Sequence, residues 1–573
     1  AFAQALALAP TDAEAHFNFG VALQKLHAGG EAARAYQRAL AFDPDFADAH
    51  FNLGVLFQEG GHLEPALAAY RAVLARDPRH ASAYRNLGEA LFAAGRFDEW
   101  LANFRRFEAA CPDALPLAVQ ALEACQYAAD HAGLERYLEG LRKERFRARD
   151  AAELADGLEQ LLYLLLFFDV EPEMLLRFAN TYDTTAPQVY GEVLPPPQER
   201  RTGKLRIGYL SADLRNHVMG KMMWQALRHH DRERFAVHCY SLSPVRDEWT
   251  ERFAGASDRF LSIAGQDERE AAERIAEDDL DLLVDLSGHT RGGKPGILAR
   301  KPARVQITHV ASAGSVGLST VDFKLTDRFA DPPGNQAFLL ETLLPMAGCV
   351  YPYRHVEPAA GHPFSRPALG LAPDAIVIGA FVTPMKLSRR CLVLWRDVLA
   401  RLPRARLAFS PTHPGLRPVF ERLCVAAGIA RERLAFLPQG RDDAENQARY
   451  AVVDFVLDPM PFGGVNGVLE PLDAGVPVVA LVGARHGERS AYSILANLGV
   501  TATLAETGRD YVEIAVRLAE DAGFMARVRD AIRAGLARSP LTDVVAHTRA
   551  LEAAYLEALS RKAPEALDGA GRA

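Results

Sequence analysis

The sequence predicts an α-helical repeat array joined to an α/β region made of two parallel-sheet halves. Three observations carry this expectation. The chain up to residue 114 repeats with a period of 34. From Leu205 onward, short apolar runs alternate with helical stretches, as strands do when they are joined by helical crossovers. That alternation comes in two sets, the second opening near Ala375. The expected boundaries are 1–114 for the repeats, the first one partial, and 115–203 for a helical spacer and Pro-rich linker. Then come 204–365 for the N-terminal half, 366–540 for the C-terminal half and 541–573 for a bracing helix and tail.

The repeats come first. The blocks from Ala13, Ala47 and Ala81 align, with Gly20, Gly54 and Gly88 in one register and Pro10, Pro44, Pro78 and Pro112 in another. Leu23, Leu56 and Leu91 lie on apolar helix faces, the small Gly allows close helix approach, and Pro ends the second helix of each unit. No unit buries its apolar face alone, so the units stack into a superhelix with a concave surface. These blocks resemble tetratricopeptide repeats. Asn18, Asn52 and Asn86 also step by 34. An amide carries two donors and an acceptor, so such a row could grip an extended peptide backbone; the competing reading is helix packing or capping. Ala1 falls inside an unfinished repeat, so the native N-terminus is expected to precede it.

Residues 115–190 keep helical spacing without the period, and LPPPQERRTGK (Leu194–Lys204) reads as a linker. The first set of strand candidates is 205–210, 235–242, 280–287, 304–310 and 323–326; the second is 375–382, 405–410, 433–438, 453–458 and 477–482. Helices are expected between Ser388 and Leu402, at 415–427, at 488–498 and over Val544–Leu559. Each half reads as a Rossmann-like sheet, with a ligand cleft at the C-terminal strand ends.

The composition fits a folded protein. Of 573 residues, 49% are hydrophobic and 24% charged, which suits a globular chain and excludes disorder as its main state. No apolar run approaches the roughly 18 residues of a membrane span. The net charge of −8 argues against broad nucleic-acid or anionic-membrane binding. The six cysteines form no CxxC pair, so neither a disulfide framework nor a zinc site is expected. With no secretory signal visible, a reducing, cytoplasmic location follows as an expectation.

Two motifs mislead. GHTRGGKP (Gly288–Pro295) nearly spells a P-loop, but Pro295 stands where a magnesium-binding hydroxyl is needed and suits a helix start instead. His289 and Thr290 still lie at a strand's C-terminal end, a plausible ligand position. The DLD of Asp279–Asp281 sits where a strand begins and reads as a turn and solvated strand edge, so no metal site is expected.

The chemistry concentrates in LDPMPFGGVNGVLEPLDAGVPVVALVGARHGERSAYSIL (Leu457–Leu495). A strand ends at Asp458 and a loop with Gly463, Gly464 and Gly467 follows, then a helix starts near Asn466. A helix N-terminus is a ready diphosphate site. Glu470, one turn in, could accept hydrogen bonds from both hydroxyls of a ribose, or merely complement the helix dipole. Arg485, His486 and Arg489 open the next helix, and Pro438 closes the strand run RLAFLP. Lys386 follows the strand AIVIGAFV, where a cation could neutralise a diphosphate leaving group. His217, after the first strand, would face the same cleft and could handle a proton.

RIGYLSADLRNH, LLVDLSGHTRGG, ARKPARVQITHV, VDFKLTDRFADPP, VLWRDVLARLP, VDFVLDPMPFGG, AGVPVVALVG and RSPLTDVVAHTRALEAAYLEAL together resemble the catalytic region of the O-GlcNAc transferase family. Spindly-type O-fucosyltransferases and bacterial cytoplasmic N-glycosyltransferases are its relatives. The resemblance implies a GT-B fold, a nucleotide-sugar donor, usually UDP-linked, inversion at the anomeric carbon, and neither metal nor cofactor. By the same resemblance, Lys386 contacts the donor diphosphate and Asn466 lies near the phosphates; Gly464, Val465 and Gly467 of the same loop are expected to bind the donor with them. Glu470 takes the acidic ribose position; from their places in the sequence, Arg489, His289, Thr290 and Pro438 are also expected on the donor side. His217 matches the family histidine near the acceptor, and Asn18, Asn52 and Asn86 match an acceptor-binding asparagine ladder. The chain departs from the family at ASAGSVG (Ala311–Gly317), where GYPG[TS][TS]G is common, at VNG in place of paired hydroxyl residues, and at FVTPMK. The expected activity is transfer of GlcNAc from UDP-GlcNAc to Ser or Thr of a polypeptide. The alternatives are an Asn-directed glucosyltransferase using UDP-glucose and an inactive repeat scaffold.

Overall fold

The computed structural model describes residues 10–26, 28–195, 203–310, 313–361 and 364–569. The partial first repeat before Pro10, residues 196–202 of the linker, and Ala311 and Ser312 of the ASAGSVG loop lie outside the described residues. Two compact units are formed. One comprises the chain up to Glu153 together with His413–Val419, and the other holds Leu154–Thr412 and the remainder from Phe420. The spacer expected at 115–203 is therefore not one body: it divides at residue 153.

In the first unit, helices Ala13–Lys25 and Gly29–Phe42, Ala47–Glu59 and Leu63–Arg76, and Ala81–Ala93 and Phe97–Ala110 form three pairs. The repeat glycines act as their spacing suggests. A Cβ on Gly20 would stand 2.6 Å from the Tyr36 ring, and one on Gly54 2.7 Å from Tyr70, so the partner helix closes only over a bare backbone. Leu115–Ala128 and His131–Arg142 make a further pair, and Leu115–Ala128 packs on the preceding helices. The step of 34 thus reaches Gln120, which succeeds Asn86 and donates from Nε2 to the Arg85 carbonyl at 2.9 Å.

The second unit contains two all-parallel sheets. In the first, β1 (Leu205–Ser211), β2 (Phe235–Ser241), β3 (Arg259–Ser262), β4 (Leu280–Asp285), β5 (Ala303–Thr308), β6 (Phe323–Thr326) and β7 (Thr342–Pro345) run in the order β3-β2-β1-β4-β5-β6-β7. In the second, β8 (Ile376–Gly379), β9 (Ala405–Phe409), β10 (Leu434–Phe436), β11 (Phe455–Leu457), β12 (Val478–Leu481) and β13 (Leu504–Ala505) run β10-β9-β8-β11-β12-β13. Strand order reverses between β1 and β4 and between β8 and β11, which opens a crevice at the strand C-termini. The loops carrying His217, His289, Lys386 and Asn466 leave those four strands.

The DLD segment is not a solvated edge. Arg304 pairs with Asp279 at 3.0 Å and with Asp281 at 3.5 Å, and Asp281 is buried and accepts the Arg206 N–H at 2.9 Å. Pro295 does begin a helix, Pro295–Ala299. The C-terminal helix, Val544–Lys562, packs on the first half, against Val218–Arg228 and strands β4, β5 and β7. Its Glu552 carboxylate meets His230 Nδ1 at 2.9 Å. The turn Pro540–Thr542, just before this helix, packs on helices of the second half. Among the described residues no helix is long and apolar enough to cross a membrane.

Candidate active site

Lys386 ends a short turn, Pro384–Lys386, after β8, and Asp458 follows β11, the neighbouring strand. The Lys386 ammonium donates to the Gly463 carbonyl at 2.8 Å and lies 4.5 Å from the centre of the Phe462 ring. Asp458 is buried and its Oδ1 accepts the Gly464 N–H at 2.8 Å. A Cβ on Gly463 would stand 2.8 Å from Asp458 Oδ2, so any larger residue would displace the carboxylate where the loop passes it. Burial pushes the Lys386 ammonium below the ordinary lysine range, and Asp458 opposes it. Burial raises Asp458, with the Gly464 hydrogen bond and the Lys386 charge resisting.

The helix Asn466–Asp473 starts directly beyond this loop. Its first turn carries the positive end of the dipole, and within it the Val468 N–H is already taken up by the Val465 carbonyl at 3.1 Å. Glu470 accepts the Tyr450 hydroxyl at 3.2 Å, and Gln447 Nε2 holds the Glu470 carbonyl at 2.9 Å. Burial raises the Glu470 carboxyl, with Arg449 the main opposing charge. Asp473 closes the helix and fastens it to the segment leaving the first half, accepting from His355 Nδ1 at 2.7 Å and Val356 N–H at 2.9 Å.

His217 caps the helix Val218–Arg228. Its Nδ1 lies 3.3 Å from Met219 N and 3.2 Å from Asp213 Oδ2, which anchors the ring, and the side chain is 38% exposed. One turn on, Lys221 reaches the second half and pairs with Asp443 at 2.8 Å, beside Arg354 at 2.7 Å from the same carboxylate. Arg354 and Asp443 also act electrostatically on Glu470. The His217 helix therefore meets the second half close to Glu470.

Lys386, Gly464, Val465, Asn466, Gly467 and Glu470 thus fall in one place, with the His217 helix reaching toward it. Other candidates are engaged elsewhere. Arg489 donates to the carbonyls of Phe329 at 2.8 Å and Gly483 at 2.9 Å, tying its loop to the first half. His289 Nε2 donates to the Val316 carbonyl at 2.7 Å, burial pushes its imidazole down to about 4, and Thr290 donates to the Ser287 carbonyl at 2.6 Å. Both stabilise loops of the first half. Pro438 is exposed beyond β10. In the repeats, Asn52 donates to the Tyr36 hydroxyl at 3.3 Å and Asn86 to that of Tyr70 at 3.4 Å, while Asn18 is exposed. The altered loop is well held where described: Ser315 Oγ and Val316 N–H donate to buried Glu341 at 2.7 and 2.6 Å. Asp458, Phe462 and Tyr450 were not anticipated as site residues; the one signal for Asp458 was a carboxylate at the end of the strand that feeds the glycine loop.

Residues 192–352 and 362–551, more than half of the chain, match the sequence profile of glycosyl transferase family 41. The chain belongs to glycosyl transferase family 41. Residues 30–61 and 56–114 of this family 41 chain also match tetratricopeptide repeat profiles. It is 31% identical over 362 residues to a probable UDP-N-acetylglucosamine--peptide N-acetylglucosaminyltransferase SPINDLY of Petunia hybrida, spanning 61% of this chain and 38% of the relative. It is 26% identical over 408 residues to a probable UDP-N-acetylglucosamine--peptide N-acetylglucosaminyltransferase SEC of Arabidopsis thaliana, spanning 68% of this chain and 42% of the relative. The chain therefore spans about two fifths of the length of these curated relatives. A solved structure of a Thermobaculum terrenum O-GlcNAc transferase mutant matches 98% of both chains at 28% identity, with a TM-score of 0.69. The fold is a tetratricopeptide-repeat array followed by a GT-B region of two Rossmann-like halves.

Proposed function

We propose that this chain is an inverting protein glycosyltransferase that moves a sugar, most simply GlcNAc from UDP-GlcNAc, onto a Ser or Thr hydroxyl of a polypeptide held by the repeats. The observation that carries this reading is the seating of Lys386 beside a glycine loop that opens onto the Asn466 helix. The two supply positive charge on one side of a cleft, where a diphosphate would acquire negative charge as it leaves. Family membership and the names of the relatives support the same donor and acceptor classes.

In the proposed reaction the acceptor oxygen attacks the anomeric carbon from the face opposite the diphosphate. The new C–O bond forms as the bond to the phosphate oxygen breaks, and the nucleotide diphosphate keeps the electron pair. The hydroxyl proton passes to a base, a role this reading gives to His217 of the first half. Lys386 and the helix N–H groups stabilise the leaving group, so the step needs neither a metal nor an organic cofactor. Glu470 orients the nucleotide through its ribose.

The test is direct. The chain is incubated with an acceptor polypeptide and each of UDP-GlcNAc, UDP-glucose and GDP-fucose, and the product is mapped by mass spectrometry. The expected product is HexNAc on Ser or Thr from UDP-GlcNAc, and Lys386→Ala slows it about 10²–10³-fold. Hexose on Asn from UDP-glucose would replace the reading by N-glycosylation, and no binding or hydrolysis of any donor would leave a repeat scaffold.

A further inference from the structure

The ammonium of Lys386 has two anchors. One is the Gly463 carbonyl at 2.8 Å; the other is the face of Phe462, 4.5 Å away. A single hydrogen bond leaves a long, flexible side chain free to swing about it, whereas a hydrogen bond and an aromatic face together fix where the remaining N–H groups point.

Phe462 is itself clamped. Its ring lies 4.7 Å from the ring of Phe167 at an interplanar angle of 31°. Phe167 is buried, ends the short turn Leu165–Phe167, and is packed edge-on by Tyr163 at 5.2 Å. A Cβ on Gly487 would stand 3.3 Å from Phe462 Cδ2, so the next loop also closes on the ring. Arg485, beside Gly487, donates to the Phe168 carbonyl at 3.0 Å and pins the turn that carries Phe167. A helical segment far from the glycine loop in sequence thus reaches Lys386 through two packed, tilted rings.

We propose that Phe462, backed by Phe167, is a positioning residue for Lys386: its ring face orients the ammonium toward the leaving diphosphate and favours its charged form in a site of low polarity. This rests on Lys386 acting as the leaving-group cation. The physical reason is the ring quadrupole, whose negative face attracts a cation most strongly where water is excluded. The charged group facing Lys386 from the neighbouring strand end is Asp458, and the helix beginning at Asn466 contributes its positive dipole end.

The experiment compares Phe462→Leu and Phe462→Met, which keep the site apolar but remove the ring, with Phe462→Tyr, which keeps the face. Thermal midpoints are measured for all three, and Lys386→Ala is assayed in parallel. The ring-less variants are expected to lose about three- to thirtyfold in kcat, with donor KM within about twofold. The alkaline limb of their kcat/KM profile should move to lower pH, because the charged ammonium has lost a stabilising partner. Phe462→Tyr should restore both kcat and the limb, and Phe167→Leu should show a smaller loss in the same direction. Wild-type kcat and pH limb in whichever ring-less variant folds, or a Phe462→Tyr enzyme as impaired as Phe462→Leu, would overturn the proposal. If Lys386→Ala is inactive while the ring-less variants match wild type, only this inference fails; if Lys386→Ala is fully active, the functional reading fails with it.

Discussion

Glu470 makes the clearest residue-scale claim. It lies one turn inside the Asn466 helix, half-buried, with one carboxylate oxygen accepting from Tyr450. If it accepts both ribose hydroxyls, Glu470→Gln keeps the shape but halves the acceptor capacity and removes the charge. UDP affinity, measured by calorimetry, should fall roughly ten- to a hundredfold, while thermal stability stays close to wild type. Because burial raises the Glu470 carboxyl, the wild-type affinity should also weaken as pH falls through that raised value, since only the ionised form accepts from both hydroxyls. A Glu470→Gln protein that binds UDP like wild type would remove the ribose role. The position of Glu470 was legible because helix geometry ties it to the loop glycines three to seven residues earlier. The partners of Arg489 and His289 were not legible by the same reasoning. Sequence locates each at a strand end but does not show that Phe329, Gly483 and Val316 present carbonyls that take up their donors. Phe462 was invisible as a partner of Lys386 for a related reason: the two lie far apart in sequence and meet only because β8 and β11 are neighbours.

At the scale of elements, the legible pieces are those with their own stop signals. The helix after Lys386 runs Arg389–Arg401, capped by Ser388 and ended at Leu402, because a capping hydroxyl and a single apolar face set both ends. The helix expected at 488–498 starts instead at Ser490, since His486–Glu488 forms a tighter turn closed by the Glu488 carboxylate. Strands β3, β7 and β13 escaped notice because they are sheet edges, only partly buried, and so lack the continuous apolar run of the inner strands. The packing of one element on another was equally hidden. Glu159 accepts from Tyr182 and Tyr190, each at 2.6 Å, and so joins two helices of the segment before the linker. Glu268, at the start of the helix Glu268–Ala276, is pushed up to about 8 by burial and by the Glu159 charge, with Lys294 opposing. A carboxyl raised in the folded state contributes stability that is complete below its unfolded value and is lost as pH climbs through the folded one. The thermal midpoint of wild type should therefore carry a downward component between about pH 5 and about pH 9 that Glu268→Gln lacks, and the variant should be the more stable of the two at the upper end. Differential scanning fluorimetry across that range tests this. Parallel curves for the two proteins would show that Glu268 is ionised in the native state.

For the whole molecule, the question is what the recurring amides of the repeats do. In the first unit Asn52 and Asn86 each donate to a tyrosine of the preceding repeat, Tyr36 and Tyr70. At the next step of 34, Phe104 replaces the tyrosine and Gln120 replaces the asparagine, turning to the Arg85 carbonyl instead. An inter-repeat role is thus visible at every described step after the first. One bond does not exhaust an amide, which has a second N–H and a carbonyl oxygen, so binding of an acceptor backbone is compatible with the same geometry. Two double variants separate the roles. Tyr36→Phe with Tyr70→Phe removes the inter-repeat partner and leaves both asparagines in place, whereas Asn52→Ala with Asn86→Ala removes the amides themselves. If the amides hold the acceptor, the asparagine pair should lower kcat/KM for a protein substrate by about tenfold or more, from two lost hydrogen bonds, with donor hydrolysis in the absence of acceptor unchanged. The tyrosine pair should keep transfer near wild type. If the amides only fasten one repeat to the next, both pairs should reduce thermal stability to a similar degree and neither should change transfer once the protein is folded. That outcome would confine Asn18, Asn52 and Asn86 to the architecture of the solenoid and require acceptor recognition to reside on other side chains.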